Sequence, residues 1–197
     1  MEHLGSIGVR AEMENAASRE VRRREEGQRV RLRQLAEFRV WLKKIESIEV
    51  WRETRKVNNE SVAEDEITYV VAFEPGVSLS RIPVLTNTVV THTRGGEVRF
   101  HWRGFEWGRV PLLEGRLKGD KGLNRRLLGY IRQDMASDLR IRALSGERVG
   151  ITTGYNPTRL PSRGFLDCIE EIAQHVNDYV AERNREREEE GAGMETE

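Results

Sequence analysis

The sequence has a single cysteine and no long hydrophobic run. Cys168 cannot form an intramolecular disulfide bond, and one thiol cannot supply a cysteine-rich zinc site, which fits a reducing compartment. No stretch approaches the roughly 18 consecutive apolar residues of a transmembrane helix. Residues 1–24 lack the apolar segment and the cleavage pattern of a secretory signal. These absences predict a cytoplasmic protein without a membrane partner.

The formal net charge of the chain is zero, because 33 Lys and Arg residues balance 33 Asp and Glu residues. Without an overall field that attracts polyanions, a nucleic-acid function would need a local basic patch. Hydrophobic residues make up 37% of the chain and charged residues 34%, so part of the chain should be solvated helix or tail. The presence of 4 Trp residues still indicates a folded core.

The short motifs of common enzyme classes do not occur in the sequence. There is no nucleophile elbow, no Walker A loop and no dinucleotide-binding glycine fingerprint. The histidines lack the spacing of zinc enzymes, and His92 with His101 on a hairpin would not complete a metal site. Cys168 would be about 10 Å along a helix from His175, too far for a thiolate and imidazole pair, so we interpret it as a packed residue. We predict no metal and no cofactor.

One enzymatic hypothesis stays open. Asp134 and Asp138 lie one turn apart on a predicted helix, where two carboxylates could couple or share a metal. A cleft that also held His101 would then allow acid–base chemistry. Acidic residues on the wet face of an amphipathic helix are common, however, and we favour a non-enzymatic function.

The N-terminal part is predicted to form a long charged helix. Residues 9–46 contain no proline and are rich in Arg, Glu, Ala, Gln and Leu, with Gly27 as a weak point. We assign residues 1–34 to a charged helical arm. An apolar stripe follows at spacings of three and four: Leu35, Phe38, Leu42 and Ile45. This stripe is also a short seam through which two copies of the chain could associate.

The middle of the chain is predicted to be β-structure. Residues 48–57 and 67–73 are rich in β-branched and aromatic residues, and Pro75-Gly76 fits a type II turn. Two hairpins follow, at 87–104 around Gly95-Gly96 and at 139–153 around Ser145-Gly146.

The first hairpin allows a register to be predicted. If Arg94 faces Glu97, alternation gives one core face, formed by Val89, Thr91, Val98, Phe100 and Trp102. The opposite face is then basic and carries His92, Arg99, His101 and Arg103.

Two amphipathic helices complete the predicted fold. Leucine, isoleucine and methionine recur every fourth residue over 123–139. A C-terminal helix starts from a cap at Ser162, and its apolar stripe comprises Phe165, Ile169, Ile172, Val176 and Tyr179. We assign residues 35–181 to one domain and residues 182–197 to a disordered acidic tail. The element order predicts an α+β fold with a mostly antiparallel sheet of about four to six strands.

The second half of the chain contains the best candidate binding site. Residues 94–148 include 13 basic and 7 acidic residues, and residues 105–122 form a glycine-rich and lysine-rich loop before a helix. Free backbone N–H groups at a helix start favour an anion, and the nearby basic residues are Lys118, Lys121, Arg125 and Arg126. Residues 19–44, with 10 basic and 4 acidic residues, could form a phosphate-contacting arm.

We therefore predict an intracellular, non-enzymatic binding module that engages a protein partner or associates with itself. The alternative is an RNA-binding or DNA-binding protein that uses the basic hairpin face and the Gly-Lys loop. Binding to phosphates weakens steeply with salt, which would distinguish the alternative from the first prediction.

Overall fold

The computed structural model describes residues 2–15, 20–25, 28–58, 60–73, 77, 88–92, 98–102, 111–132, 139–144, 148–154 and 161–194. Its helices are α1 (Glu2–Ser6), α2 (Pro111–Gly119), α3 (Lys121–Arg132) and α4 (Arg163–Met194). Its strands are β1 (Ala11–Asn15), β2 (Glu20–Glu25), β3 (Gln28–Val40), β4 (Ile45–Val57), β5 (Glu60–Val71), β6 (Thr88–His92), β7 (Val98–Trp102), β8 (Arg140–Ala143) and β9 (Val149–Gly154).

The strands form one sheet in the order β1-β3-β4-β5-β9-β8-β6-β7, with β2 also paired to β3. Every pairing among the described strands is antiparallel. The α+β fold class is therefore confirmed. Strands β4–β9 fall within the predicted count of four to six, and three further strands come from the N-terminal segment.

The prediction of a long charged N-terminal helix is wrong, because β1, β2 and β3 occupy that segment. Along β3, Val30, Leu32 and Gln34 are buried while Arg31 and Arg33 are exposed. This alternation has the period of a strand, and pairing on both edges of β3 outweighs the helix propensity of Arg, Glu and Gln. Strand β3 is continuous across residue 34, where the predicted arm would end; the division at 1–34, 35–181 and 182–197 stays a prediction.

The predicted helical seam is also wrong. Leu35 and Phe38 lie on β3, Leu42 lies between strands, and Ile45 is the first residue of β4. Ile45 is buried, and Phe38 and Leu42 pack against the main hydrophobic core. These residues contribute to the core of one chain, so the stripe no longer supports association between copies.

The core lies between one face of the sheet and the helices. We call this the helix-side face; it carries Ile48, Ile67, Tyr69 and Ile151. The predicted stripe of α4 is confirmed, since Phe165, Ile169, Ile172, Val176 and Tyr179 are all at most 1% exposed. The Ser162 cap is confirmed as well, because its Oγ accepts the Phe165 N–H at 3.2 Å.

Two helical boundaries differ from the predictions. Helix α4 continues to Met194, so residues 182–194 are helical where we predicted disorder. Part of the predicted Gly-Lys loop is helix α2, in which Leu113 and Leu117, four residues apart, are buried. The spacing of these two leucines is typical of a helix, but the glycines of the segment led us to predict a loop.

The predicted strands and hairpins are present with changed limits. Strands β4 and β5 contain the predicted segments 48–57 and most of 67–73, and β8 pairs with β9 as the second hairpin. The predicted turns at Pro75-Gly76 and Ser145-Gly146 lie outside the described residues. In the first hairpin, Thr91 pairs with Arg99 and His92 with Val98. The predicted register is thus wrong by one residue, and the predicted turn at Gly95-Gly96 lies outside the described residues.

Candidate binding surfaces

The register of β6 and β7 divides the predicted basic hairpin face. Residues directly opposite each other in an antiparallel pair belong to the same face. The pairing therefore assigns His92, opposite Val98, to one face and Arg99 and His101 to the other. Arg103 lies outside the described residues. The described part of the predicted basic face is thus divided between the two faces of the hairpin.

The basic residues predicted at the Gly-Lys loop lie on α2, for Lys118, and on α3, for Lys121, Arg125 and Arg126. Lys118 forms an ion pair with Glu114 on the same helix, and Lys121 and Arg125 are exposed. Arg126 forms an ion pair with Glu171 of α4. The first turn of α3 is capped by Asp120, whose Oδ1 accepts the Leu123 N–H at 2.9 Å. A carboxylate thus occupies the position where we predicted a bound anion.

Asp120 also connects α3 to α4. Its Oδ2 lies 3.1 Å from His175 Nε2. The backbone N–H of Leu123 is the main group that holds the pKa of Asp120 below its usual value, with smaller contributions from His175 and Arg126. This carboxylate is therefore a charged structural link between the helices.

The cysteine that the sequence offers as a candidate nucleophile lies in the hydrophobic core. Cys168 is fully buried on α4, as the packed interpretation predicts, and burial raises the pKa of its thiol. Arg126 beside the thiol opposes this rise only in part. Asp134 and Asp138 lie outside the described residues, so the proposed cleft with His101 stays a hypothesis.

A buried polar cluster lies on the sheet face opposite the helices. Glu49 is 2% exposed, accepts the Trp51 Nε1–H at 2.8 Å and pairs with Arg148 Nη2 at 2.5 Å. Arg148 Nε also lies 3.5 Å from Glu46. Burial raises the pKa of Glu46, and the nearby charges of Glu49 and Glu37 raise it further while Arg148 lowers it. Sequence reasoning missed this cluster, which joins residues almost a hundred positions apart.

Two exposed hydrophobic residues lie at one edge of the sheet. Met13 on β1 is 48% exposed and Trp41, just after β3, is 44% exposed. The Arg10 guanidinium lies 4.3 Å from the Trp41 ring centroid, and Arg39 lies 5.9 Å from it. In the described part of the chain, β1 and β2 pair with β3 alone, so their other edge is unpaired.

A basic surface lies where β3 and β4 run beyond the core. Arg31, Arg33, Arg52 and Lys56 are all exposed. Arg33 lies directly opposite Arg52, and Arg31 is opposite Thr54. We call these four residues the basic ribbon face. Its signal in the sequence is the alternation of arginine with apolar residues in 30–33, which we interpreted as helical.

Comparison of the chain with protein-family models, with curated proteins and with solved structures found no match. Within the described ranges, no group of three or more His, Cys, Asp or Glu residues could hold a metal ion. Among the helices as described, none is long and apolar enough to cross a membrane.

Proposed function

We propose that the protein is a non-enzymatic binding module of the cytoplasm that associates with a second copy of itself through strand β1. The single observation that carries this proposal is the edge of β1 that no described strand pairs, on a strand where Met13 is exposed. A free strand edge is a template for strand addition from another chain. The lone cysteine, buried as a free thiol, fits the cytoplasm.

The hydrogen bonds of β1 support strand addition. Trp41 N–H donates to the Arg10 carbonyl at 3.2 Å. Because bonded and non-bonded pairs alternate along an antiparallel ladder, the N–H and C=O groups of Ala11 and Met13 then point away from β3. Two residues on one strand thus offer backbone donors and acceptors at the open edge.

The side chains of β1 fit a two-fold arrangement. An antiparallel pairing centred on Glu12 sets Ala11 of one copy opposite Met13 of the other, twice. A small and a large apolar residue are then neighbours on one face. The same register sets Arg10 opposite Glu14, also twice, so that opposite charges meet on the other face. The two Glu12 residues at the centre limit the affinity of such a dimer.

We expect Met13→Lys to prevent the association. Lysine on an edge strand is a common block to edge pairing, and the exposure of Met13 means that the fold will tolerate it. Sedimentation velocity should show a concentration-dependent dimer for the natural chain and a monomer for the variant. Ala181→Lys, which adds the same charge at an exposed position of α4, should behave like the natural chain. A natural chain that stays monomeric at high micromolar concentration would refute the proposal.

Nucleic-acid binding is the second candidate function, and the basic ribbon face favours it. Its four basic residues are exposed and lie on two adjacent strands. The hairpin and loop residues of the sequence prediction support this function less, because the first set is split and the second surrounds a capping carboxylate.

A further inference from the structure

We infer that the basic ribbon face, Arg31, Arg33, Arg52 and Lys56, binds the phosphate backbone of a nucleic-acid duplex without reading its sequence. This inference rests on the second candidate function and names its site and its ligand. The site differs from the one that the sequence predicts on the β6–β7 hairpin and around α3.

The strand register concentrates positive charge at one place. Arg33 and Arg52 are direct cross-strand neighbours, which brings their Cβ atoms to about 5 Å. Arg31 and Lys56 are each an even number of residues from them, so all four belong to one face. Like charges directly opposite each other destabilise a sheet. A polyanion that lies across both strands would relieve this repulsion.

The acidic residues nearby neutralise only part of the charge. Arg52 donates two hydrogen bonds to Asp65, at 2.8 and 3.0 Å, and Arg31 pairs with Glu20 at 2.7 Å. Within the described residues, neither Arg33 nor Lys56 forms an ion pair, although Glu20, the partner of Arg31, lies directly opposite Arg33 on β2. The Arg31 and Arg52 side chains stay 61% and 51% exposed, so their outer N–H groups can still reach a ligand.

The opposite face of the same two strands is buried. Val30, Leu32 and Trp51 form a second buried hydrophobic cluster there. The ribbon therefore presents the basic face to solvent. The register also sets Arg22 of β2 opposite Arg31 and Arg24 opposite Arg29, which continues the run of basic positions onto a third strand.

The chemistry of this face favours a duplex backbone over a single strand. Single-strand sites combine positive charge with aromatic rings on which bases stack. Apart from Glu20, which lies opposite Arg33, the exposed residues of this face are basic, polar or small, and Trp51 belongs to the buried face. Arginine and lysine without stacking partners recognise phosphates, which set affinity and salt dependence without sequence preference.

The test compares two double variants by fluorescence anisotropy with mixed-sequence duplex DNA, duplex RNA and single strands at several salt concentrations. Arg33→Ala with Lys56→Ala removes the two basic residues of the face that lack ion pairs. Lys121→Ala with Arg125→Ala removes the same charge from exposed positions of α3. We expect the first variant to lower the salt slope of duplex binding by about 2, and the second to leave it unchanged.

The possible outcomes test the location of the binding site separately from the nucleic-acid function itself. If the natural chain binds no duplex at low salt, both this inference and the second candidate function are refuted. If it binds and only the α3 variant weakens binding, the nucleic-acid function stands and the ribbon site is refuted. Arg33→Lys with Lys56→Arg should retain binding, because it keeps the charge. Tighter binding to single strands than to either duplex would contradict the inferred ligand, and the RNA and DNA duplexes show which backbone is preferred.

Discussion

Replacing Arg148 by alanine should lower the free energy of unfolding by about 3 kcal/mol, which a shift in the denaturant midpoint would measure. The Glu49 side chain is only 3% exposed, and Arg148 is its charged partner. Without the guanidinium, a carboxylate stays buried with the Trp51 N–H as its one remaining hydrogen bond among those described. A buried charge that has lost its partner destabilises the folded state strongly.

Two further variants test this explanation. Glu49→Gln in the Arg148→Ala background should recover part of the loss, because a neutral amide tolerates burial better than a carboxylate. Arg163→Ala removes an arginine from an exposed pair with Asp167, in which both side chains are about half exposed, and should change stability by less than about 0.5 kcal/mol. If Arg148→Ala were as mild as Arg163→Ala, the buried pair would not stabilise the sheet as described.

Replacing Phe165 by alanine should destabilise the fold by about 3–5 kcal/mol. Phe165 is 1% exposed and makes edge-to-face contacts with Tyr69 of β5 and Tyr130 of α3, at centroid distances of 6.3 and 5.5 Å. It thus joins α4 to both the sheet and the neighbouring helix. Thermal or chemical unfolding followed by circular dichroism measures the loss.

Trp41 provides the matched control for Phe165. The two aromatic side chains differ in burial, since Trp41 is 44% exposed. Trp41→Ala should therefore lower stability by about 1 kcal/mol or less. Phe165→Leu, which keeps most of the volume, should lose much less than Phe165→Ala. Equal losses for Trp41→Ala and Phe165→Ala would contradict the placement of the core.

Strong periodicity made α4 predictable. Its apolar residues keep a helical spacing over four turns, and a serine cap marks the start. Both signals are local, and both agree with the tertiary packing. The strands β4 and β5 and the second hairpin were also predictable from local signals. There, β-branched residues occur together with turn residues.

The N-terminal strands were not predictable from composition. Arg, Glu and Gln favour helix locally, but Val30 and Leu32 alternate with arginine and gain burial only when β2 and β4 pair on either side. The same non-local pairing creates the basic ribbon face. The Glu49–Arg148 pair was not predictable either, because nothing in the sequence relates two residues on different hairpins.

The predicted binding residues stay a prediction, but two features of their placement differ from what we expected. A shift of one residue in the β6–β7 register moves His92 away from Arg99 and His101. At α3, the cap that starts the helix is itself an acid, Asp120, and it satisfies the Leu123 N–H, one of the groups that a bound anion would use. Neither the register of β6 with β7 nor the choice of cap was fixed by residue type alone.

Hydrogen exchange measured by mass spectrometry on the full chain, at low and at high micromolar concentration, tests the central claim that copies associate through β1. We predict slower exchange at high concentration in peptides that cover residues 11–15, where the amides of Ala11 and Met13 gain partners. Peptides from β9 should exchange equally at both concentrations, because Ile151 is already buried in the core. Unchanged exchange in 11–15, or protection that appears only on α4, would contradict the account.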